Sequence, residues 1–380
     1  MSWPRAPLLM VSSSSRTGPA EGLISLAHEL RSQGIDARFA GDTIRPGENL
    51  GEHLALAGVP WETGLRLSRK VRLGDLFHDA AALASFARAG RYDVLHAAFA
   101  HDHALALWAA RRSRSPDLRV VRAAQRRVDV TAGALRQRLW ALRRSDGVVV
   151  HSARYRADLL SAGLEERRVA QVSAGVDANA FSPGRAPHLR ERWGIPPTAS
   201  LAGIVARMKA ERGHRALLRA FAQVERNLPD AWLVLIGRGE DEAALRALAA
   251  ELRLSRVVFG GYWRGPALVE AYRALDVAVW LREGNDGACR GVLEAMACAV
   301  PVVAGDDGAP PELVGETGKV VRAGDPASIA GALSGLLGDR SRARQLGQAA
   351  RERALAFTPR RAADETLSFW RRLRDLPRVG

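Results

Sequence analysis

The chain has almost no lysine. Of its 56 basic residues only Lys70, Lys209 and Lys319 are lysine, so 53 are arginine. Cysteine is nearly as scarce, with Cys289 and Cys298 alone in 380 residues. Two thiols make no disulfide framework, and no Cys/His spacing suits zinc, so a reducing cytoplasm is the expected setting. No stretch reaches 18 uninterrupted apolar residues, which excludes an ordinary membrane-spanning helix. The first apolar run, residues 8–11, is too short for the core of a secretory leader. The three-glycine dinucleotide fingerprint is absent, which argues against a nicotinamide enzyme. Internal repeats, low-complexity tails and Asp-x-Asp pairs are absent as well.

What is present is a globular composition, 47% hydrophobic and 26% charged, with 36 glycines and 6% aromatics. That balance suits an α/β protein with many tight strand-to-helix turns, and the length favours two domains. Short apolar runs alternate with amphipathic stretches in the rhythm of a parallel sheet covered by helices. LLMV, DARFA, YDVLHAA, LRVVRA, DGVVVHS and RVAQVS are strand candidates in the first half. LAGIVA, AWLVLIG, RVVFGG, DVAVWL, VPVVAG and GKVVRA are the candidates in the second. The expectation is two Rossmann-like β/α/β domains, 1–180 and 200–358, with a proline-rich linker at 181–199. A last amphipathic helix within 359–380 is expected to pack back on the N-terminal domain.

The net charge of +15 admits a nucleic-acid, anionic-lipid or phosphorylated partner. Arginine replacing lysine throughout explains part of the charge but not its clustering. Eleven arginines against Asp117 and Asp129 give residues 111–144 a local net charge of +9. No basic and aromatic recognition module accompanies the cluster, so a nucleic-acid partner is not expected. An anionic acceptor or a weak contact with an anionic membrane surface is.

In an open parallel sheet, ligands bind beyond the carboxyl ends of the strands. Three segments there carry chemistry. In ARMKAERGHRALLRAF, Arg207 ends a strand and Arg212 precedes a helix that begins near Gly213. Two guanidiniums at a helix N-terminus suit a diphosphate, although in so arginine-rich a chain surface arginines are the plainer reading. In LIGRGEDEAAL, Gly237 and Gly239 follow a strand, a pattern that tight turns often explain. In EGNDGACRGVLEAMA, three acids surround a glycine-rich loop, and Glu294 falls in the first turn of the next helix. A carboxylate there can bridge a vicinal diol or compensate the helix dipole; both readings stand.

Together these residues resemble glycosyltransferase family 4, a retaining family of GT-B fold with two Rossmann-like domains facing across an interdomain cleft. DGACRGVLEAMACAVPVVAG resembles its acidic signature, RMKAERGH its Arg-x4-Lys-Gly element, and GVDANAFSPG its Gly-Val-Asp element. The resemblance implies transfer of a sugar from a nucleoside diphosphate sugar to a glycan or lipid-linked acceptor, such as a cell-envelope glycan, without a metal or other cofactor. It implies that Glu294 holds the ribose and that Asp286, separated from it by seven residues, holds the transferred sugar, leaving Glu283 out of register. It implies that Arg207 and Arg212 take the diphosphate, with Gly237, Gly287, Ala288, Cys289, Arg290 and Gly291 around the donor and Tyr262 or Trp263 near the base. On the acceptor side it points to Thr17, Gly18, His96, His101, Gln125 and Arg126, with His103 a further candidate. Asp286 stands for the family's usual Glu, Arg212 for Lys, Ala206 for Gly, and Gln125 for a frequent His. A sugar-nucleotide epimerase or an inactive sugar-nucleotide-binding relative is the alternative expectation.

Overall fold

The computed structural model describes residues 3–13, 17–42, 50–68, 72–124, 139–282 and 287–379. The chain divides into two compact units, Met1–Gly175 with Asn285–Ala288 and Pro359–Gly380, and Val176–Gly284 with Cys289–Thr358.

The first unit is a six-stranded parallel sheet: β1 (Pro7–Met10), β2 (Arg38–Ala40), β3 (Val94–Ala97), β4 (Arg119–Ala123), β5 (Gly147–Val150) and β6 (Val169–Gln171), in the order β2-β1-β3-β4-β5-β6. The strands are short apolar runs, buried on both faces as a helix-covered parallel sheet requires. The helix Pro359–Arg374 belongs to this unit. Phe369, Trp370 and Leu373 are buried in its core. Gly147 makes room for them, since a Cβ there would stand 2.8 Å from Cζ of Phe369. The Arg119 guanidinium donates to the carbonyls of Leu373, Arg374 and Leu376, and Arg168 donates to that of Pro377.

The second unit is again a six-stranded parallel sheet: β7 (Ser200–Val205), β8 (Ala231–Ile236), β9 (Val257–Gly261), β10 (Val277–Trp280), β11 (Val302–Gly305) and β12 (Lys319–Val321), in the order β12-β11-β10-β7-β8-β9. The strand order reverses direction between β7 and β10, so the loops leaving these neighbours diverge to opposite faces and leave a crevice between them. The segment expected as a linker, 181–199, is built into this unit. Leu189 and Ile195 are buried, and Arg190 donates to the carbonyls of Ala274 and Ala199 and to the carboxylate of Asp276. Four prolines read as punctuation, but one arginine fork ties the segment down.

Candidate active site

The loop after β7 and the loop after β8 run against each other. Met208 donates its N–H to the carbonyl of Arg238, and Asp241 donates its own to that of Met208. The approach is close enough to dictate both glycines of the second loop. A Cβ at Gly237 would overlap the carbonyl oxygen of Ala206, and one at Gly239 would overlap that of Met208. Gly237 also has φ +148°, which disfavours any other residue. The G-x-G pair is therefore a contact between loops rather than a turn signal alone.

That contact delivers Arg207 and Arg212 to the start of the helix His214–Asn227. Arg207 is exposed, and Arg212 is half-buried in the short 3₁₀ turn Ala210–Arg212. The turn ends at Gly213, whose φ of +84° suits glycine. The helix has no side-chain cap and no acid in its first turn. Cations at a helix N-terminus oppose the dipole, so this arrangement is unfavourable by itself and favourable around an anion. His214, the first helical residue, is buried, and neither ring nitrogen has a hydrogen-bond partner among the described residues. Burial, and then the charge of Arg212, push its pKa down to about 4, so it is neutral near pH 7.

The loop after β10 leads to the helix Arg290–Ala297, which begins with an arginine and likewise lacks a side-chain cap and a first-turn acid. Its start at Arg290 moves Glu294 from the expected first turn into the second. Glu294 is therefore no cap. Its Oε2 accepts the hydroxyl of Tyr272 at 3.0 Å, and Oε1 stands 4.0 Å from Arg290. These contacts orient Glu294, and a carboxylate, which offers about four lone-pair sites, can bridge a diol. Tyr272 is buried, and its pKa is raised well above the usual value by burial and by the Glu294 carboxylate, so it remains a donor. Its ring meets Phe181 edge-on at 6.0 Å between centroids. The GVDANAFSPG segment thus works as a brace: Asp177 accepts the N–H groups of Asn179 and Ala180, and Arg351 ties the carbonyls of Ala178 and Phe181 to that of Ala297.

Gly287 and Ala288 are buried, and Cys289, also buried, adopts φ +49°, an uncommon conformation for a residue with a side chain. Gly291 lies under Trp280, whose ring is 5.5 Å from the Arg212 guanidinium carbon. Trp280 and Tyr272 were not legible as site residues, since one ends a strand and the other sits in a helix far from any signature. Tyr262 is exposed between two guanidiniums, Arg238 at 4.4 Å and Arg264 at 5.1 Å. Trp263 donates its indole N–H to the carbonyl of Gly260 and lies under the Arg192 guanidinium. Asp286 and Glu283 lie outside the described residues, as do Gln125 and Arg126.

In the first unit, Thr17 is the N-cap of the helix Gly18–Ser32, accepting the N–H of Ala20, and Gly18 is its first residue. His96 is a core residue: its ring meets Trp370 edge-on at 5.5 Å, and burial lowers its pKa to about 3. This corrects its reading as a group presented to an acceptor, because a strand side chain packed on a buried tryptophan has no open face. His103 is likewise buried, with Nε2 2.7 Å from the Ser145 hydroxyl. His101 is half-buried on the helix Ala100–Ser113. Arg122, half-buried at the end of β4, is a basic residue that the motifs did not single out; its charge acts on His96, Asp102 and His103. Among the described residues no group of His, Cys, Asp and Glu is arranged to hold a metal ion.

Comparison with known proteins agrees with this layout. The family model described as Glycosyltransferase Family 4 matches residues 17–180, and that described as Glycosyl transferases group 1 matches 186–353. A GDP-mannose-dependent alpha-mannosyltransferase of Mycolicibacterium smegmatis is 35% identical over 207 residues, 53% of this chain and 51% of that protein. A D-inositol 3-phosphate glycosyltransferase of Corynebacterium urealyticum is 33% identical over 226 residues, 56% of this chain and 53% of that protein. The chain thus spans about half the length of the curated relatives it matches. Among solved structures, a glycosyltransferase from Rickettsia africae superposes with a TM-score of 0.80 at 16% identity, covering 98% of this chain and 99% of that one. Anabaena HepE in complex with UDP-glucose superposes with a TM-score of 0.80 at 21% identity, covering 96% and 99%. With both family models matched in succession on two parallel six-stranded sheets of GT-B type, the chain belongs to glycosyltransferase family 4.

Proposed function

We propose that the chain is a retaining glycosyltransferase that moves a sugar from a nucleoside diphosphate sugar to a glycan or glycolipid acceptor. One observation carries this reading: at the switch point of the second sheet, two uncapped helix N-termini are each led by arginine. Guanidiniums gathered at helix N-termini favour an anion, and a diphosphate is one that two guanidiniums can hold.

In the proposed reaction the acceptor hydroxyl attacks the anomeric carbon on the face from which the diphosphate leaves, so the configuration is kept. Negative charge develops on the departing diphosphate, and the guanidiniums of Arg207 and Arg212 with the two helix N-termini stabilise it without a metal ion. Glu294, oriented by Tyr272, bridges the ribose hydroxyls. Asp286 holds hydroxyls of the transferred sugar, and Tyr262 lies near the base. The relatives named for GDP-mannose and the solved structure holding UDP-glucose support a nucleoside diphosphate sugar as the donor class. The basic 111–144 segment, where Arg112 and Arg144 pack over the exposed rings of Trp108 and Trp140, suits an anionic acceptor or membrane surface reached from the cytoplasm.

The test is a thermal-shift screen of UDP, GDP and ADP sugars, followed by turnover with the donor it selects. Arg207→Ala is expected to lower turnover on the order of 10²-fold, and Asp286→Asn to impair it far more than Glu283→Gln. No shift with any nucleotide sugar, or near-normal turnover of Arg207→Ala, defeats the reading.

A further inference from the structure

Trp280 has no role in the reaction just described, yet it touches both helix starts. Its neighbours Val277 and Val279 join the core beneath β7 and β8. Strand alternation therefore sends Trp280 to the opposite face, onto the helix Arg290–Ala297. There its six-membered ring occupies the space of a side chain at Gly291: a Cβ on that residue would stand 3.0 Å from Cη2 and overlap Cζ3. The guanidinium carbon of Arg212 stands 5.5 Å from the same ring's centroid.

Arg212 precedes a helix without a side-chain cap, whose dipole disfavours a cation at that end. An aromatic face attracts a guanidinium, and tryptophan does so best. We propose that Trp280 is a positioning residue, holding the Arg212 guanidinium at the paired helix N-termini and so setting the affinity for the diphosphate of the donor. Gly291 is the other half of the device, because only a residue without a side chain admits the ring. This inference rests on the assignment of Arg212 to the diphosphate.

The experiment titrates UDP, GDP, UMP and GMP calorimetrically into the full chain and its variants. Trp280→Leu is expected to weaken the nucleoside diphosphate that binds by about 3- to 30-fold, the range of a single cation–π contact. It leaves the matching monophosphate within about 2-fold. Trp280→Phe keeps most of the affinity, and Trp280→Leu adds no further loss to Arg212→Ala. Equal losses for di- and monophosphate, or a full additional loss in the Arg212→Ala background, overturn the proposal. If Trp280→Leu does not fold, Gly291→Ala, which displaces the ring, is expected to show the same diphosphate-selective loss, and an unselective loss overturns it. Wild-type diphosphate affinity in Arg212→Ala would instead remove the assignment of Arg212, and with it the foundation of this inference.

Discussion

At the scale of single residues, the site depends on groups that point other groups. Glu294 acts through two oxygens, and one is committed to the Tyr272 hydroxyl. Tyr272→Phe keeps the ring on Phe181 and removes only that hydrogen bond. We expect the donor KM to rise about 10-fold, the value of a hydrogen bond to a charged group, with the melting temperature nearly unchanged. An unchanged KM would mean that Glu294 needs no such support. The sequence made Glu294 legible because its spacing within the signature is a local property. It left Tyr272 invisible, because a tyrosine in the middle of an amphipathic helix reads as core until another helix brings a carboxylate to it. His96 failed for the converse reason: a histidine ending an apolar run carries no mark of the tryptophan, 274 positions later, that covers it.

At the scale of elements, the two helices at the switch point are built against the usual electrostatic rule, with arginines where acids stabilise. The buried neutral His214 is part of the same end. Its folded pKa, about 4, lies below the ordinary 6.5. As pH falls from 6.5 towards 4 the unfolded chain takes up a proton that the folded chain refuses, so His214 costs stability in that window and adds no further cost below it. His214→Leu removes the penalty. The stability of the variant relative to wild type should therefore grow by up to about 3 kcal/mol between pH 7 and pH 4. Denaturant unfolding at several pH values measures it, and a difference independent of pH would show that the ring protonates freely in the folded protein.

At the scale of the whole molecule, the first unit is built from separate stretches of the chain. The last helix leaves the second unit and completes the core of the first, with Trp370 fully buried there. Trp370→Ala should cost about 3–5 kcal/mol, as such core truncations do, and the loss should fall on the first unit alone. A lowered first transition in calorimetry with unchanged nucleotide affinity is the expected pair of results. Weakened nucleotide binding would tie the helix to the donor site instead.

The strand runs, their parallel arrangement and the acidic signature were all determined by the sequence alone, because burial on both faces and fixed spacing are written into consecutive residues. Only the tertiary structure decided the rest. It set Gly237 and Gly239 against the carbonyls of another loop, Tyr272 under Glu294, Trp280 between Arg212 and Gly291, and His96 beneath Trp370. Each of these joins residues far apart in the chain, and periodicity and motif spacing report only on neighbours along it.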